Sequence, residues 1–198
     1  KASRGRPHLQ VAEAAILGGA DVLQLRDKEA SSGQLYRVAL QLRKLTRDAK
    51  VPFIVNDRLD IALAADADGV HVGQADLPAS VVREIMGPGK ILGVSVDTVE
   101  EALLAEKDGA DYLGVGPVFE ARGTKPDAGE PLGVDRIVRI RRHCRLPIVA
   151  IGGIDAGNAR KVREAGADAA AVISAIVAAD DIAHAARRLK RILEGMYR

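Results

Sequence analysis

Four times along the chain, a stretch with helical spacing ends in a small-residue turn carrying Asp and gives way to a short apolar run. Gly-Gly-Ala-Asp (18–21) precedes Val-Leu-Gln-Leu, and Ala-Asp-Gly (67–69) precedes Val-His-Val. Gly-Ala-Asp returns at 109–111 before Tyr-Leu-Gly-Val and at 166–168 before Ala-Ala-Ala-Val-Ile. Glycine at a helix end relieves the left-handed cap, so each unit reads as helix, cap, strand. Three further apolar runs, at 52–55, 91–96 and 147–151, follow turn-type residues. All seven runs are continuous rather than alternating, as expected of parallel strands covered on both faces. Helical periodicity occupies the intervals at roughly 7–17, 32–48, 58–65, 78–86, 98–108, 133–143, 156–165 and 180–194.

Strands alternating with helices predict an α/β domain on a parallel sheet, either a closed (β/α)8 TIM barrel or an open doubly wound sheet. Seven strands preceded by an unpaired helix favour the barrel. An eighth strand just upstream of Lys1 would complete it; otherwise the place of that first strand is left open or filled differently. No composition shift or linker divides the chain, so residues 1–198 are expected to form a single domain.

Composition narrows the function. The 198 residues are 47% hydrophobic and 28% charged, which suits a large core and excludes a disordered chain. With 29 Lys and Arg against 27 Asp and Glu, a formal charge of +2 gives no reason to expect nucleic acid or an anionic membrane as partner. An aromatic content of 3% without Trp leaves little for bases to stack on. The longest run of small and apolar residues, 169–179, is too short to span a bilayer. The single cysteine, Cys144, has no disulfide partner and, beside His143 alone, lacks the spacing of a structural zinc site. A cytoplasmic setting is expected. The basic clusters at 141–145 and 187–191 read as a helix end and a solvated helix face.

In parallel α/β folds the chemistry lies beyond the C-terminal ends of the strands. Those positions hold Gln24, Arg26, Asp27 and Lys28, then Asn56-Asp57, then His71, Gln74 and Asp76. Ser95, Gly114-Val-Gly-Pro117, Gly152-Gly153 and Ser174 follow on the remaining strands. Asp57 and Asp76 come from neighbouring strands and can converge on one hard cation such as Mg²⁺; the alternative is that each caps a helix. Arg26 and Lys28 alternate, so both can point the same way and neutralise phosphate oxygens, or else pair with Asp27 or Glu29. The loop at 119–131 carries Arg122, Thr124, Lys125 and Asp127 and has the length of a lid over a site. Gly152-Gly153 permits close backbone approach, and Ser174 opens a short helical turn whose N–H groups suit a phosphate. The glycines equally serve the turn alone.

These residues resemble the thiamine-phosphate synthase family. The likeness runs over nearly the whole chain and is carried by Gln24-Leu-Arg-Asp-Lys28, Val55-Asn-Asp57, Gly69-Val-His-Val-Gly-Gln74 with Asp76, and Gly93-Val-Ser95. Gly114-Val-Gly-Pro-Val-Phe119, Thr124-Lys-Pro-Asp127, Ile151-Gly-Gly-Ile154 and Val172-Ile-Ser174 complete it in the same order. The resemblance implies a (β/α)8 enzyme of thiamine biosynthesis. Such an enzyme condenses 4-amino-2-methyl-5-hydroxymethylpyrimidine diphosphate with a thiazole monophosphate, giving thiamine phosphate and pyrophosphate. Carried over motif by motif, it places Gln24 and Ser95 at the pyrimidine. Arg26, Lys28, Asn56 and Lys125 then hold the diphosphate, with Arg26, Lys28 and Lys125 as the catalytic cations. Asp57 and Asp76 ligate Mg²⁺, while Gly153, Ile173 and Ser174 receive the thiazole phosphate with Thr124 beside it. Arg122 and Gly123 stand where the family usually carries a Thr or Ser.

The implied chemistry is a dissociative displacement: cations draw off pyrophosphate, and the amino-pyrimidine delocalises the charge left on its methylene carbon. No protein nucleophile is required. Two rival readings are a thiazole tautomerase on the same fold and a non-catalytic phosphate-binding barrel. The Asn-Asp pair and the Thr-Lys-Pro-Asp loop speak against the first, and intact Lys28, Asp57, Asp76 and Lys125 against the second. The implied partners are the two small-molecule substrates, without nucleic acid or membrane, and self-association as a homo-oligomer is left open.

Overall fold

Parallel strands need a crossover between each pair, and the helical stretches between the apolar runs supply one every time. The computed structural model of the chain describes residues 3–120 and 130–196. It opens with α1 (His8–Leu17), then β1 (Leu23–Leu25), α2 (Ser32–Ala49), β2 (Phe53–Asn56), α3 (Leu59–Ala64) and β3 (Gly69–Val72). It continues with α4 (Ala79–Met86), β4 (Ile91–Val96), α5 (Val99–Lys107), β5 (Tyr112–Val115) and α6 (Val134–His143). The last elements are β6 (Ile148–Ile151), α7 (Ala159–Glu164), β7 (Ala169–Ala171), the short α8 (Ser174–Val177) and α9 (Ile182–Leu193). The strands form one seven-stranded sheet in sequential order, every neighbouring pair parallel.

The sheet curls. Helix α1 packs on both α2 and α9, so the outer ring closes across the interval between β7 and β1, where no ladder is described. Gly18, which ends α1, makes that closure tight: a Cβ there would lie 2.5 Å from the Ala183 carbonyl oxygen and 2.6 Å from the Ala186 Cβ of α9. Alternate strand residues face opposite sides, and partners in a parallel ladder share a side. Leu25, Val55, Val70 and Leu92 form one such row, and with Phe53, Val72, Leu113 and Ile148 they are buried beneath the helices. The main apolar core therefore lies between sheet and helices. The other side of the sheet, toward the barrel axis, carries a different set of residues.

The Asp of the repeated junction has a structural task that recurs on every second unit. Asp68 accepts hydrogen bonds from the Phe53 amide at 2.8 Å and the Arg43 guanidinium at 2.9 Å, tying α2 and β2 to the start of β3. Asp111 does the same for the Leu92 amide and Arg83, both at 2.7 Å, and Asp168 for the Ile148 amide at 2.7 Å and Arg141. In each case the Asp amide returns a bond to the same strand residue: Asp68 to Phe53, Asp111 to Leu92 and Asp168 to Ile148. Charge-assisted bonds of this kind fix the ends of neighbouring strands level with one another. Asp21 pairs with Lys190 of α9 in the corresponding place before β1.

No helix among the described residues is long and apolar enough to cross a membrane. Cys144 is buried at the end of α6.

Candidate active site

The inner face of the sheet is polar at its centre. The row Asn56, His71, Gly93 and Tyr112 runs across β2 to β5 in register, and Gln24 and Ser95 share its side of their strands. His71 is buried, with its Nδ1 2.9 Å from the Tyr112 hydroxyl and its Nε2 2.8 Å from the Ser95 Oγ. Tyr112 also hydrogen-bonds Gln24. Gln24 and Ser95, on the first and fourth strands, are thus the two ends of one connected chain. Gln74 steadies the far end by donating to the Ser95 carbonyl at 2.7 Å.

Above this floor stand two carboxylates. Asp57 follows β2 in a left-handed backbone conformation (φ 62°), which Asp tolerates, and its amide donates to the His71 carbonyl at 2.7 Å. Asp76, in the turn after β3, accepts from the Gly73 amide at 2.7 Å. Neither serves as a helix cap. The caps of α3 and α4 are Arg58 and Pro78, without side-chain cap bonds. The two carboxyl groups instead meet: burial first, then the neighbouring Asp76 charge, raise the pKa of Asp57 above its ordinary value. Lys28 opposes that rise from 3.5 Å away. Among the described residues no third His, Cys, Asp or Glu joins them. Two carboxylates with an excess of negative charge fit a hard divalent cation, which fills its remaining positions from water and phosphate oxygens.

Arg26 and Lys28 lie just beyond β1. Between them Asp27 is occupied elsewhere, accepting from the Glu29 and Ala30 amides at 3.1 and 3.2 Å with His8 at 3.6 Å. It fixes the turn that presents its two neighbours. Asn56 ends β2 beside Asp57.

A second group lies beyond β6 and β7. Gly152 and Gly153 have φ of 98° and 63°, and a Cβ on Gly153 would lie 2.6 Å from the Glu120 carbonyl oxygen. One on Gly152 would lie 2.5 Å from the Pro117 Cα. The segment after β5 rests on these glycines through Val118 to Ile151 and Phe119 to Gly152 amide–carbonyl bonds of 2.9 and 3.0 Å. Its far stem is tied back by Leu132 to Pro117 and Gly133 to Val118 bonds of 2.7 and 3.1 Å. Ile173 caps α8 and Ser174 begins it. Thr124 and Lys125, with Arg122, Gly123 and Asp127, fall outside the described residues.

Sequence reasoning assigned no role to His71 or Tyr112. The signal available was small: a Tyr in a chain with three, opening a strand whose ladder partner is the glycine of Gly93-Val-Ser95.

Comparison with known proteins shows which family the chain resembles. The family model described as thiamine monophosphate synthase matches residues 1–176. A thiamine-phosphate synthase of Chloroflexus aurantiacus is 59% identical over 96% of this chain and 88% of its own length. That of Moorella thermoacetica is 54% identical over 98% of this chain and 91% of its own. The solved thiamine phosphate pyrophosphorylase from Pyrococcus furiosus superposes with a TM-score of 0.89 at 43% identity, covering 98% of this chain and 93% of that one.

Proposed function

Since the chain belongs to the thiamine-phosphate synthase family, we propose that its polar inner face and the Asp57–Asp76 pair are where that family's reaction takes place. The protein is a transferase of thiamine biosynthesis. It condenses 4-amino-2-methyl-5-hydroxymethylpyrimidine diphosphate with a thiazole monophosphate and releases pyrophosphate. The observation that carries the site assignment is the convergence of Lys28, Asp57 and Asp76 directly above a floor with Gln24 at one end and Ser95 at the other.

Gln24 and Ser95 take the aminopyrimidine. Arg26, Lys28 and Asn56 take the diphosphate, together with Lys125. Asp57 and Asp76 would hold Mg²⁺, which when bound supplies positive charge to the departing pyrophosphate. Arg26 and Lys28 do the same from the protein, in a site where fixed charges need no reorganisation as the bond breaks. The methylene carbon left behind is stabilised by the amino-pyrimidine. The thiazole nitrogen attacks it, so the C–O bond to pyrophosphate is exchanged for a C–N bond. Gly153, Ile173 and Ser174 hold the thiazole phosphate beyond β6 and β7, with Thr124 beside it. Closure of the loop at 119–131 would keep water from the cation.

The chain reads as one barrel domain over 1–198, in which the interval between β7 and β1 is the place of a first strand that the described residues do not contain, unless that place is left open or filled differently. Support for that strand comes from the repeated Asp junction. Asp68, Asp111 and Asp168 each bind a basic side chain and an amide at the start of a strand, and Asp21 has the basic partner in the same arrangement.

The site reading is tested by calorimetric titration of the pyrimidine diphosphate with and without Mg²⁺. Binding should be Mg²⁺-dependent and lost in Asp57→Asn and Asp76→Asn. Equal binding without Mg²⁺, or unchanged binding in both variants, overturns the assignment.

A further inference from the structure

The chain from Gln24 to Ser95 has a direction. Gln24 and Tyr112 lie within hydrogen-bonding reach of one another, and the phenol's one proton can go to only one neighbour. Burial pushes the Tyr112 phenol well up from its ordinary range, so the phenol keeps its proton and has one to give. The ring atom 2.9 Å from it is His71 Nδ1, which can take that proton's bond only as a bare nitrogen. A neutral imidazole with Nδ1 bare carries its proton on Nε2, and that N–H points at the Ser95 Oγ 2.8 Å away. Ser95 Oγ is then an acceptor toward His71, and its own proton is left for another partner. With the phenol proton given to His71, Gln24 meets the phenol oxygen through its amide N–H, and its amide oxygen is left as an acceptor.

The backbone has been cleared for this arrangement. A Cβ on Gly93 would lie 2.1 Å from Tyr112 Cζ and 2.4 Å from His71 Nδ1; one on Gly114 would lie 2.8 Å from His71 Cε1. Both glycines lie within strands, where glycine costs stability and marks a close approach. Here the approaching groups are the two rings, 5.4 Å apart between centroids. The glycines hold open a slot that the imidazole and phenol fill.

Resting on the site reading above, we propose that His71 is a positioning residue that fixes the hydrogen-bond polarity of the pyrimidine site. It acts as the Nε2–H tautomer within the one-way chain Gln24 to Tyr112 to His71 to Ser95. Such a site presents an acceptor at Gln24 and a donor at Ser95. It therefore selects a ring with an amino group and an unprotonated ring nitrogen. A ring with a carbonyl and a ring N–H offers the opposite pattern and leaves buried groups unpaired, the most effective way for a site to reject a near-isostere. His71 need not touch the reacting atoms to do this.

Two measurements decide the matter. The first uses the free protein with ¹⁵N-labelled histidine and reads the His71 tautomer from two-bond ¹⁵N–¹H correlations. The expected pattern is a protonated Nε2 and a bare Nδ1; a protonated Nδ1 overturns the proposal. The second compares wild type with Tyr112→Phe, which removes the donor to Nδ1 and keeps the ring. Its readout is the ratio of Kd values, in the presence of Mg²⁺, for the 4-amino pyrimidine diphosphate and its 4-oxo analogue. Loss of one polarity-defining bond should lower the ratio about tenfold or more. His71→Gln, whose amide can accept from Tyr112 and donate to Ser95, should retain part of the selectivity. An unchanged ratio in Tyr112→Phe contradicts the proposal. A protein that binds no pyrimidine diphosphate at all sinks the functional reading instead, and the tautomer measurement still decides this one.

Discussion

Asp57 and Asp76 follow the paired strands β2 and β3 with their carboxyl groups side by side, and burial first, then the Asp76 charge, raise the pKa of Asp57. Two acids at the mouth of a polar interior, with Lys28 within ion-pair reach of Asp57, make a site that costs stability until a cation arrives. That relationship links the fold to the chemistry.

The sign of the effect can be worked out. Between the unfolded value of 3.8 and its higher folded value, Asp57 binds more protons in the folded protein than in the unfolded one. Stability therefore falls as pH rises through that window and stays lower above it. Asp57→Asn keeps a residue that tolerates φ 62° and removes one of the two charges. We expect the metal-free variant at neutral pH to melt higher than wild type, by roughly 1–3 °C, and to lose condensation activity. Differential scanning calorimetry and product assay check the two halves.

Arg26 and Lys28 are presented by a turn that Asp27 fixes through the Glu29 and Ala30 amides. On the proposed function, removing either cation takes away charge that matters most as pyrophosphate leaves. Arg26→Ala and Lys28→Ala should each lower kcat by about 10²–10³-fold, the scale for one preorganised donor at developing charge. The KM for the thiazole phosphate should change little. Steady-state kinetics with each substrate varied in turn separates these effects.

The junction aspartates predict a purely structural loss. Asp111→Ala leaves the mostly buried Arg83 guanidinium and the Leu92 amide without that carboxylate. The cost should be about 1–3 kcal/mol, read as a lower urea midpoint at unchanged m-value. The KM values of the folded variant should match wild type, because the residue lies at the opposite ends of the strands from the site.

Gly93→Ala puts a methyl group 2.1 Å from Tyr112 Cζ and 2.4 Å from His71 Nδ1. Strand backbone on one side and two buried rings on the other leave little room to yield. Overpacking of this kind costs about 1–3 kcal/mol, and pyrimidine affinity should fall with it while thiazole-phosphate affinity holds. Urea titration and separate binding isotherms for the two substrates test this.

The helices and strands were legible because each apolar run was short, bounded by turn residues and followed by a 3.6-residue periodicity. Predicted 91–96 matches β4 and predicted 133–143 differs from α6 by one residue. The pairing of Asp57 with Asp76 was legible too, since adjacent runs in a parallel sheet become neighbours. Their alternative as helix caps was equally visible in sequence and is settled by Arg58 and Pro78 taking those positions. The second task of Asp68, Asp111 and Asp168 was hidden, because their Arg partners lie 25, 28 and 27 residues away and meet them only when helices fold back over strands. Tyr112 was hidden for a similar reason. As a strand residue it is ordinary, and its place beside His71 depends on the register of β3, β4 and β5 and on the two glycines that clear the way.

The most direct test is product formation. Purified protein incubated with the pyrimidine diphosphate and the thiazole phosphate, with Mg²⁺ and again with the metal chelated, is assayed for thiamine phosphate and pyrophosphate. The account predicts equal amounts of the two products with Mg²⁺ and a near-complete loss of both without it. Folded protein that makes no thiamine phosphate in the presence of Mg²⁺, or makes it equally well in its absence, would contradict the account.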